Sequence, residues 1–419
     1  MALPGVYITD SDGNIGTVTE SVEDVCGMIF DYGGQQNFAF AHKDEVLELT
    51  SAADLETYGI KKSGETGAVL GGIPYYHIKQ FFGLRGGSGR LFVLFADCTS
   101  DWTALSKLQR YAHGLIYQTA VWTEQSLWKL NDASASIYAL GLLADIQSEC
   151  HSIANDMNAP MSVLLYPNVN KVQVASGVQG GSDVPVFNKI PTVKSDYRYV
   201  SVMLGQSNDE DVLAMQDALT SKTPVGAAGV DLAMLANNSV PTCIGYVGGC
   251  DYSGYIPGIV FGFGTDMTKY ESVSIANLTD LHNKGYNFFM KYEGDEVGVY
   301  RNFDHTCTDG DYRTIARNRV MGKTRRQVRA ALLPMVNRTV LIDPATGYMT
   351  SAAQAIFINA VNTVLDAMVA AGEISGHSTP VINQTASILQ TDAVYISYSV
   401  IPVGIASEIY VTQSLSITA

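Results

Sequence analysis

The chain alternates apolar and polar residues almost to its last position, and an end built this way needs a sheet to join. From Ser407 onwards, Ile409, Val411, Leu415 and Ile417 are set against Tyr410, Thr412, Ser414 and Ser416. A period of two is the mark of a half-buried strand. An earlier run repeats it: Val394, Ile396, Tyr398 and Val400 alternate with Tyr395, Ser397, Ser399 and Ile401. Pro402 and Gly404 separate the two runs, as turn residues do. Free ends are usually frayed and polar, and an uncovered apolar strand invites aggregation. The beginning is similar. The segment Val6, Tyr7, Ile8, Thr9 is β-prone and is followed by the turn-rich hinge Asp10-Ser11-Asp12-Gly13-Asn14. Two such ends predict either pairing inside the subunit or exchange of strands between subunits.

A length of 419 residues leaves room for two or three domains. Apolar residues at 47% and charged residues at 16% describe a chain with a large buried core. The net charge of −15 argues against a general nucleic-acid binder, which needs a basic field. The charge is also unevenly placed. Residues 1–60 carry eleven acids and one base, Lys43, whereas residues 313–338 carry eight bases and no acid. Paired fields of this kind suit self-assembling surfaces. The six cysteines are scattered without a C-x-x-C, which predicts reduced, mostly buried thiols in a protein assembled in a cytosol. The N-terminus has neither a basic nor an apolar leader region, so no signal peptide is expected. The longest charge-poor stretch, 232–250, is broken by Asn237, Asn238, Ser239 and Pro241 and does not read as a membrane span.

Along the chain, short apolar runs predict strands at 25–30, 38–40, 46–49, 91–95, 161–166 and 199–204. Helices are expected at 52–58 (capped by Ser51 and stopped by Gly59), 69–82, 102–117, 135–156 and 209–219. Residues 170–196 read as loop or hairpin, and 221–265 as apolar packing of no clear period. Further on, 278–284 closes a helix at Gly285, and 287–291 with 297–301 form a hairpin. Long helices follow at Tyr312–Leu333, ended by Pro334, and Thr350–Ala371, ended by Gly372. The fold class expected is α+β (mixed α/β): α/β sandwich domains with N- and C-terminal β-strand arms, either paired inside the subunit or exchanged between subunits. The division expected is a linking arm at 1–20, an α/β domain at 21–270 with an outer subdomain around 100–265, a C-terminal domain at 271–400, and a linking strand at 401–419.

Chemical motifs fail one by one. The glycines of 83–90 lack the Lys-Ser/Thr of a phosphate loop and precede a strand. Ser88 is followed two residues on by Arg90, not the glycine of a nucleophile elbow. The dense stretch Asp304 to Asp311 offers Asp304, Asp309 and Asp311 to a divalent ion, but its spacing matches no loop of that kind. It reads as a solvated turn whose Asp311 caps the next helix. That helix is the one non-random electrostatic feature. Arg319, Lys323, Arg325, Arg326 and Arg329 fall on the side opposite Val320, Val328 and Leu332. A solvated face normally mixes signs, and this one predicts a basic face presented to an acidic partner.

Several stretches, in order, resemble contractile tail sheath proteins of phages and phage-like injection machines. Pro4-Gly5-Val6-Tyr7-Ile8 resembles their N-terminal arm. Val46 to Ser51 followed by Leu55 and Tyr58-Gly59, then Ile78, Phe81-Phe82-Gly83, Gly86-Gly87 and Leu91-Phe92-Val93, resemble their successive strand and helix segments. Leu281, Gly285-Tyr286-Asn287, then Val299-Tyr300-Arg301, Tyr312 and Arg317–Arg319 resemble the steps before their arginine-containing helix. The 350–371 helix and the Ile401-Pro402-Val403 ending fit their C-terminus. About half the chain is covered; a Trp-containing segment usual in the family is replaced by Tyr270-Glu271-Ser272-Val273.

The resemblance implies a structural subunit and no enzyme, with no cofactor and no nucleotide. Such a subunit polymerises with itself in stacked six-membered rings around a tail tube protein, between a baseplate and a tail terminator. No membrane and no direct nucleic acid are among its partners. It implies assembly in a bacterial host cytoplasm and a final place in a virion tail or injection particle. Val6, Tyr7, Ile8, Thr9, Ile409, Val411, Leu415 and Ile417 are then the linking residues. Arg319, Lys323, Arg326 and Arg329 are the contacts to the tube or to the acidic 1–60 region of a neighbour. The rival readings are an α/β hydrolase or carbohydrate-active enzyme, and another self-assembling shell or tube protein.

Overall fold

The computed structural model describes residues 23–33, 35, 38–130, 138–140, 142–174, 190–219, 222–262, 268–295, 297–383 and 388–415. The linking segment Val6 to Thr9 and Ile417 lie outside them.

The chain is α+β, with helices packed on mixed sheets. Among the described residues up to 202 there are eight strands: β1 (Cys26–Asp31), β2 (Val46–Leu49), β3 (Leu91–Ala96), β4 (Gln118–Leu130), β5 (Tyr138–Leu140), β6 (Ser162–Val174), β7 (Asp196–Tyr197) and β8 (Val200–Val202). All but β7 form one sheet in the order β2-β3-β1-β4-β6-β8, with β5 paired to β4. The four central pairings are parallel, and β2 runs antiparallel to β3 at the edge.

A mostly parallel sheet is covered on both faces, and the strand residues sort accordingly. Ile29, Phe92, Leu94, Val121, Val163 and Leu165 meet helices α3 and α4 on one side. Met28, Phe30, Val93, Phe95, Ala120, Trp122 and Leu164 meet α2 and α6 on the other. The helices in chain order are α1 (Asp54–Thr57), α2 (Ile73–Leu84), α3 (Ala104–Tyr111), α4 (Leu143–Asp156), α5 (Glu210–Asp217) and α6 (Ala228–Asn237). Gly27 of β1 is required by close approach: a Cβ there would lie 2.8 Å from Leu108 of α3. Gly229 plays the same part between α6 and α2, where a Cβ would lie 2.0 Å from the His77 carbonyl oxygen.

Several expectations need correction. The helix expected over 135–156 begins only at Leu143, because Tyr138–Leu140 pairs as β5 with β4. The helix expected over 102–117 stops at Tyr111, because His113 (φ 52°) and Gly114 (φ 78°) turn the backbone left-handed and launch β4. Residues 38–40 form no strand; the Phe40 ring instead packs 4.6 Å from Phe95. Ser51 does not cap α1: the Asp54 carboxylate reaches back to accept the Thr50 and Ser51 amides at 2.7 and 3.0 Å. The six cysteines are unpaired and buried, as expected.

The second half adds α7 (Ile275–Asn283), α8 (Ile315–Leu332) and α9 (Ser351–Ala370). Thr314 caps α8 by accepting the Arg317 amide at 3.2 Å, and Thr350 caps α9 by accepting the Ala353 amide at 3.3 Å. Gly372, with φ 71°, ends α9 as the expected left-handed stop. Among the described residues α9 alone is long and apolar enough to cross a membrane. Here it buries Val361, Leu365 and Met368 against Val320 and Val328 of α8. A two-stranded ribbon follows. Ile374–His377 pairs antiparallel with Val400–Pro402, and Val381–Asn383 pairs with Tyr395–Ser397.

Candidate assembly interface

Helix α8 lies beneath the ends of the central strands, and its cations explain why it stays there. The spacing of residues 319, 323 and 326 puts one side chain per turn on a single stripe. Arg319 donates to the carbonyls of Leu235 (2.7 Å), Asn238 (3.1 Å) and Ser239 (3.3 Å), the open C-terminal end of α6. A cation is favoured there by the exposed carbonyls and the helix dipole. Lys323 pairs with Glu23 at 2.6 Å and Glu373 at 2.5 Å, so it joins the residue where the N-terminal segment enters the fold to the residue before the ribbon. Arg326 donates to the carbonyls of Gly114, Ile116 (2.7 Å) and Pro160 (2.7 Å), the approaches to β4 and β6, and stacks 4.1 Å over Tyr117.

The basic face predicted to be presented outward is therefore closed inside the subunit at three positions. Arg319 and Lys323 are buried, and the Arg326 guanidinium is enclosed by carbonyls. The partners are chiefly backbone oxygens, which no charge count reveals. Burial pushes both Arg319 and Arg326 down to about 10, still charged at neutral pH. Lys323 is held above its ordinary value: burial opposes its charge, but Glu23 and Glu373 outweigh it. Arg329 lies on the outer flank, half-buried, with Val328 and Leu332 beside a groove of about 410 Å³ that reaches Ile396 and Tyr398 of the ribbon. Burial and the neighbouring Arg325 charge hold Arg329 below its ordinary value.

The acidic stretch after β8 also differs from its expected solvated form. Asp304 is fully buried and accepts the Ala316 amide at 3.1 Å, inside the first turn of α8. Burial raises its carboxyl to about 7. Asp309 pairs with Lys194 at 3.0 Å, and Thr314, not Asp311, is the helix cap. His305 is buried beside His282, 3.3 Å away, and is pushed down to about 3 by burial. Among the described residues no three His, Cys, Asp or Glu side chains come together as metal ligands. Sequence reasoning missed the ion pair at the molecule's centre. Arg301 and Asp231 are fully buried and joined at 2.5 Å, with the Tyr166 hydroxyl donating to the same carboxylate at 2.6 Å. The Val299-Tyr300-Arg301 run is the only signal pointing there.

The two alternating runs of the C-terminus behave differently. Val394, Ile396, Tyr398 and Val400 turn towards the α8–α9 core, as the alternation predicts. Beyond Pro402 no described residue is in a strand, and Ile409, Val411 and Leu415 are 81%, 83% and 103% exposed. On the ribbon's outer side Val381, Tyr395 and Ile401 are exposed as well.

With this geometry in view, the chain has the fold of contractile sheath proteins. It is similar over 99% of its length to the helical sheath of the anti-feeding prophage in its contracted state, covering 100% of that chain at 15% identity and a TM-score of 0.56. The PVC sheath complex of an extracellular contractile injection system, also contracted, is matched over 100% of this chain and 98% of that one, at 12% identity and a TM-score of 0.56. A sheath tail protein from Desulfitobacterium hafniense is matched over 95% and 100%, at 10% identity and a TM-score of 0.50. The family model described as DUF2586, C-terminal domain, matches residues 311–419, the segment from the start of α8 through the ribbon and tail. No curated protein matches this chain in sequence.

Proposed function

We propose that this chain is the structural subunit of a contractile tail sheath. It polymerises helically, as stacked six-membered rings around a tail tube, and shortens to drive the tube through a target envelope. The observation that carries this reading is the full-length likeness to sheath subunits. It is supported by a C-terminal tail whose apolar residues the subunit leaves in solvent. The terminal strands, Val6 to Thr9 and Ile409 to Ile417, add to a neighbour's sheet. The receiving element is the ribbon at 374–402, because two strands leave unpaired backbone on both outer edges. Many backbone hydrogen bonds on a flexible hinge hold neighbours together through large motion.

The proposed division keeps arms at 1–20 and 401–419 around an α/β body and a C-terminal domain that faces the tube. Arg319, Lys323 and Arg326 hold that domain to the body, and Arg329, half-buried on the outer flank of the helix, is the proposed contact to the tube or a neighbour. The baseplate and a tail terminator close the two ends of the polymer. Assembly takes place in a bacterial host cytoplasm, and the finished subunit belongs to a virion tail or injection particle. The stored energy is that of the extended lattice, with no nucleotide spent.

Negative-stain microscopy of the expressed full-length protein tests the reading. Striated tubes or rings are expected; discrete particles at every concentration would refute it.

A further inference from the structure

A second basic site lies on the outer flank of α8, where the cations meet rings and neutral oxygens but no carboxylate among the described residues. It is a cavity of about 180 Å³ between α8, the 198–199 turn and the ribbon. The Arg198 guanidinium is held between two rings, 4.5 Å from the centroid of Tyr199 and 4.4 Å from that of Tyr312. Arg325 lines the same cavity and donates to the Asn158 side-chain oxygen at 3.1 Å. Tyr398 and Asn318 complete the wall.

Stacked guanidinium groups are pre-organised forks for carboxylates, with little freedom left to lose on binding. Yet among the described residues neither Arg198 nor Arg325 forms an ion pair with any carboxylate. This holds in a chain with 41 acidic and 26 basic residues. The inner cations Arg319, Lys323 and Arg326 are met by several carbonyls or by carboxylates, whereas Arg325 has one neutral side-chain oxygen, that of Asn158. The outer pair is built to receive a carboxylate from elsewhere.

We infer that this cavity docks the acidic hinge Asp10-Ser11-Asp12 of a second copy of the chain. The inference rests on the sheath reading, which supplies the second copy. The 22 residues before Glu23 hold three acids, Asp10, Asp12 and Glu20, and no Lys or Arg. Residues two apart point to one side of an extended segment, so a hinge docked in that form would offer both carboxylates to the two guanidinium groups at once. The chain's own arm is rooted at Glu23, paired with Lys323 at 2.6 Å, and the stretch from there back to Asp12 could reach about 36 Å when extended, so the same hinge folding back on its own subunit is the alternative that mixed tags separate. Docking the hinge would anchor the arm just before its linking strand, so that pull on the strand is carried into α8 of the neighbour.

The test uses the full-length protein, whose six native cysteines are buried. One population carries Ser11→Cys and a second, differently tagged, carries Met321→Cys at the cavity wall. On mixing with a bis-maleimide, a product joining the two tags is expected. Adding Arg198→Glu and Arg325→Glu to the second population should reduce that product at least about tenfold. The same reversal alone should raise the critical concentration for polymerisation about tenfold, and Asp10→Lys with Asp12→Lys in the same chain should restore it. If the double reversal fails to fold, Arg325→Gln alone takes its place. Cross-linking only within one chain, unchanged yield after reversal, or polymer loss without any cross-link would overturn the arm as occupant. Wild-type protein that never forms tubes would sink the sheath reading instead, and the mixed cross-link would still decide the docking.

Discussion

The central sheet is built of apolar runs and the C-terminal ribbon of alternating ones, and one is finished where the other is not. In the sheet both faces are covered by helices and every central strand has a neighbour on each side. In the ribbon one face packs on α8 and α9 and the other shows Val381, Tyr395 and Ile401 to solvent. Even the sheet's polar residues are closed off. Thr123 donates to Asp31 at 2.6 Å and Gln125 to the same oxygen at 2.8 Å. The difference teaches where stability and assembly are kept apart. Changes in the body should cost folding, and changes in the ribbon and tail should cost polymerisation alone.

The largest effect is expected at the centre. Asp231→Ala leaves Arg301 buried without its partner, which costs about 3–5 kcal/mol. Urea unfolding should show the loss, and a midpoint within error of wild type would mean the pair is idle. Lys323→Met comes next, at about 2–3 kcal/mol, because it strands Glu23 and Glu373 against each other. Were Lys323 an assembly contact only, melting would stay unchanged while co-assembly with tube protein failed; the opposite pattern is expected.

Asp304 gives a smaller effect with a defined sign. Its carboxyl is raised to about 7 in the folded chain, above the ordinary value of 3.8, so folding favours the protonated form. Stability from this group is full below about pH 4 and is lost as pH rises to about 7. Asp304→Asn should flatten that slope and be the more stable protein at pH 8, on the order of 1–2 kcal/mol. Thermal melts at pH 5 and pH 8 measure it; an unchanged slope would assign the pH dependence to other groups.

Much of the sheet was legible because β1, β2, β3 and β6 begin as apolar runs that only a two-sided core explains. Strand β4 was not, since Gln118, Thr119, Thr123 and Gln125 hide its burial behind polar side chains. Helix α6 was missed for the opposite reason. Ala228 to Leu235 are all buried, so no amphipathic period remains to read. On α8 periodicity identified the basic stripe correctly, but the covering groups of Arg319 and Arg326 are carbonyls from residues 114–239, far away in sequence. A charge pattern shows which side is basic and is silent about what lies against it. Alternation over 409–417 reads as a strand, yet residues 409–415 form none in the subunit, where Ile409, Val411 and Leu415 stand exposed.

The smallest effect on stability should come with the largest on assembly. Removing residues 404–419 takes away Ile409, Val411 and Leu415, each more than four-fifths exposed, and no described strand. Little buried apolar area is lost, so the change in unfolding free energy should stay within about 0.5 kcal/mol. If the tail adds to a neighbour's ribbon, however, its backbone hydrogen bonds and apolar side chains are gained only in the polymer. The truncated subunit should melt with wild type and sediment as a monomer at concentrations where wild type forms tubes. A midpoint lowered by several degrees would place the tail in its own subunit's core and erase the contrast between sheet and ribbon. Adding a peptide spanning 404–419 sharpens the outcome. It should bind the truncated subunit, because the ribbon edge stays open, and it should compete with polymerisation of the wild type. Such a peptide binds without a tether, so its affinity lacks the effective concentration that linkage provides, and a large excess is needed. Competition that Tyr395→Pro abolishes, by removing one backbone donor at the ribbon's edge, would locate the added strand against Tyr395–Ser397.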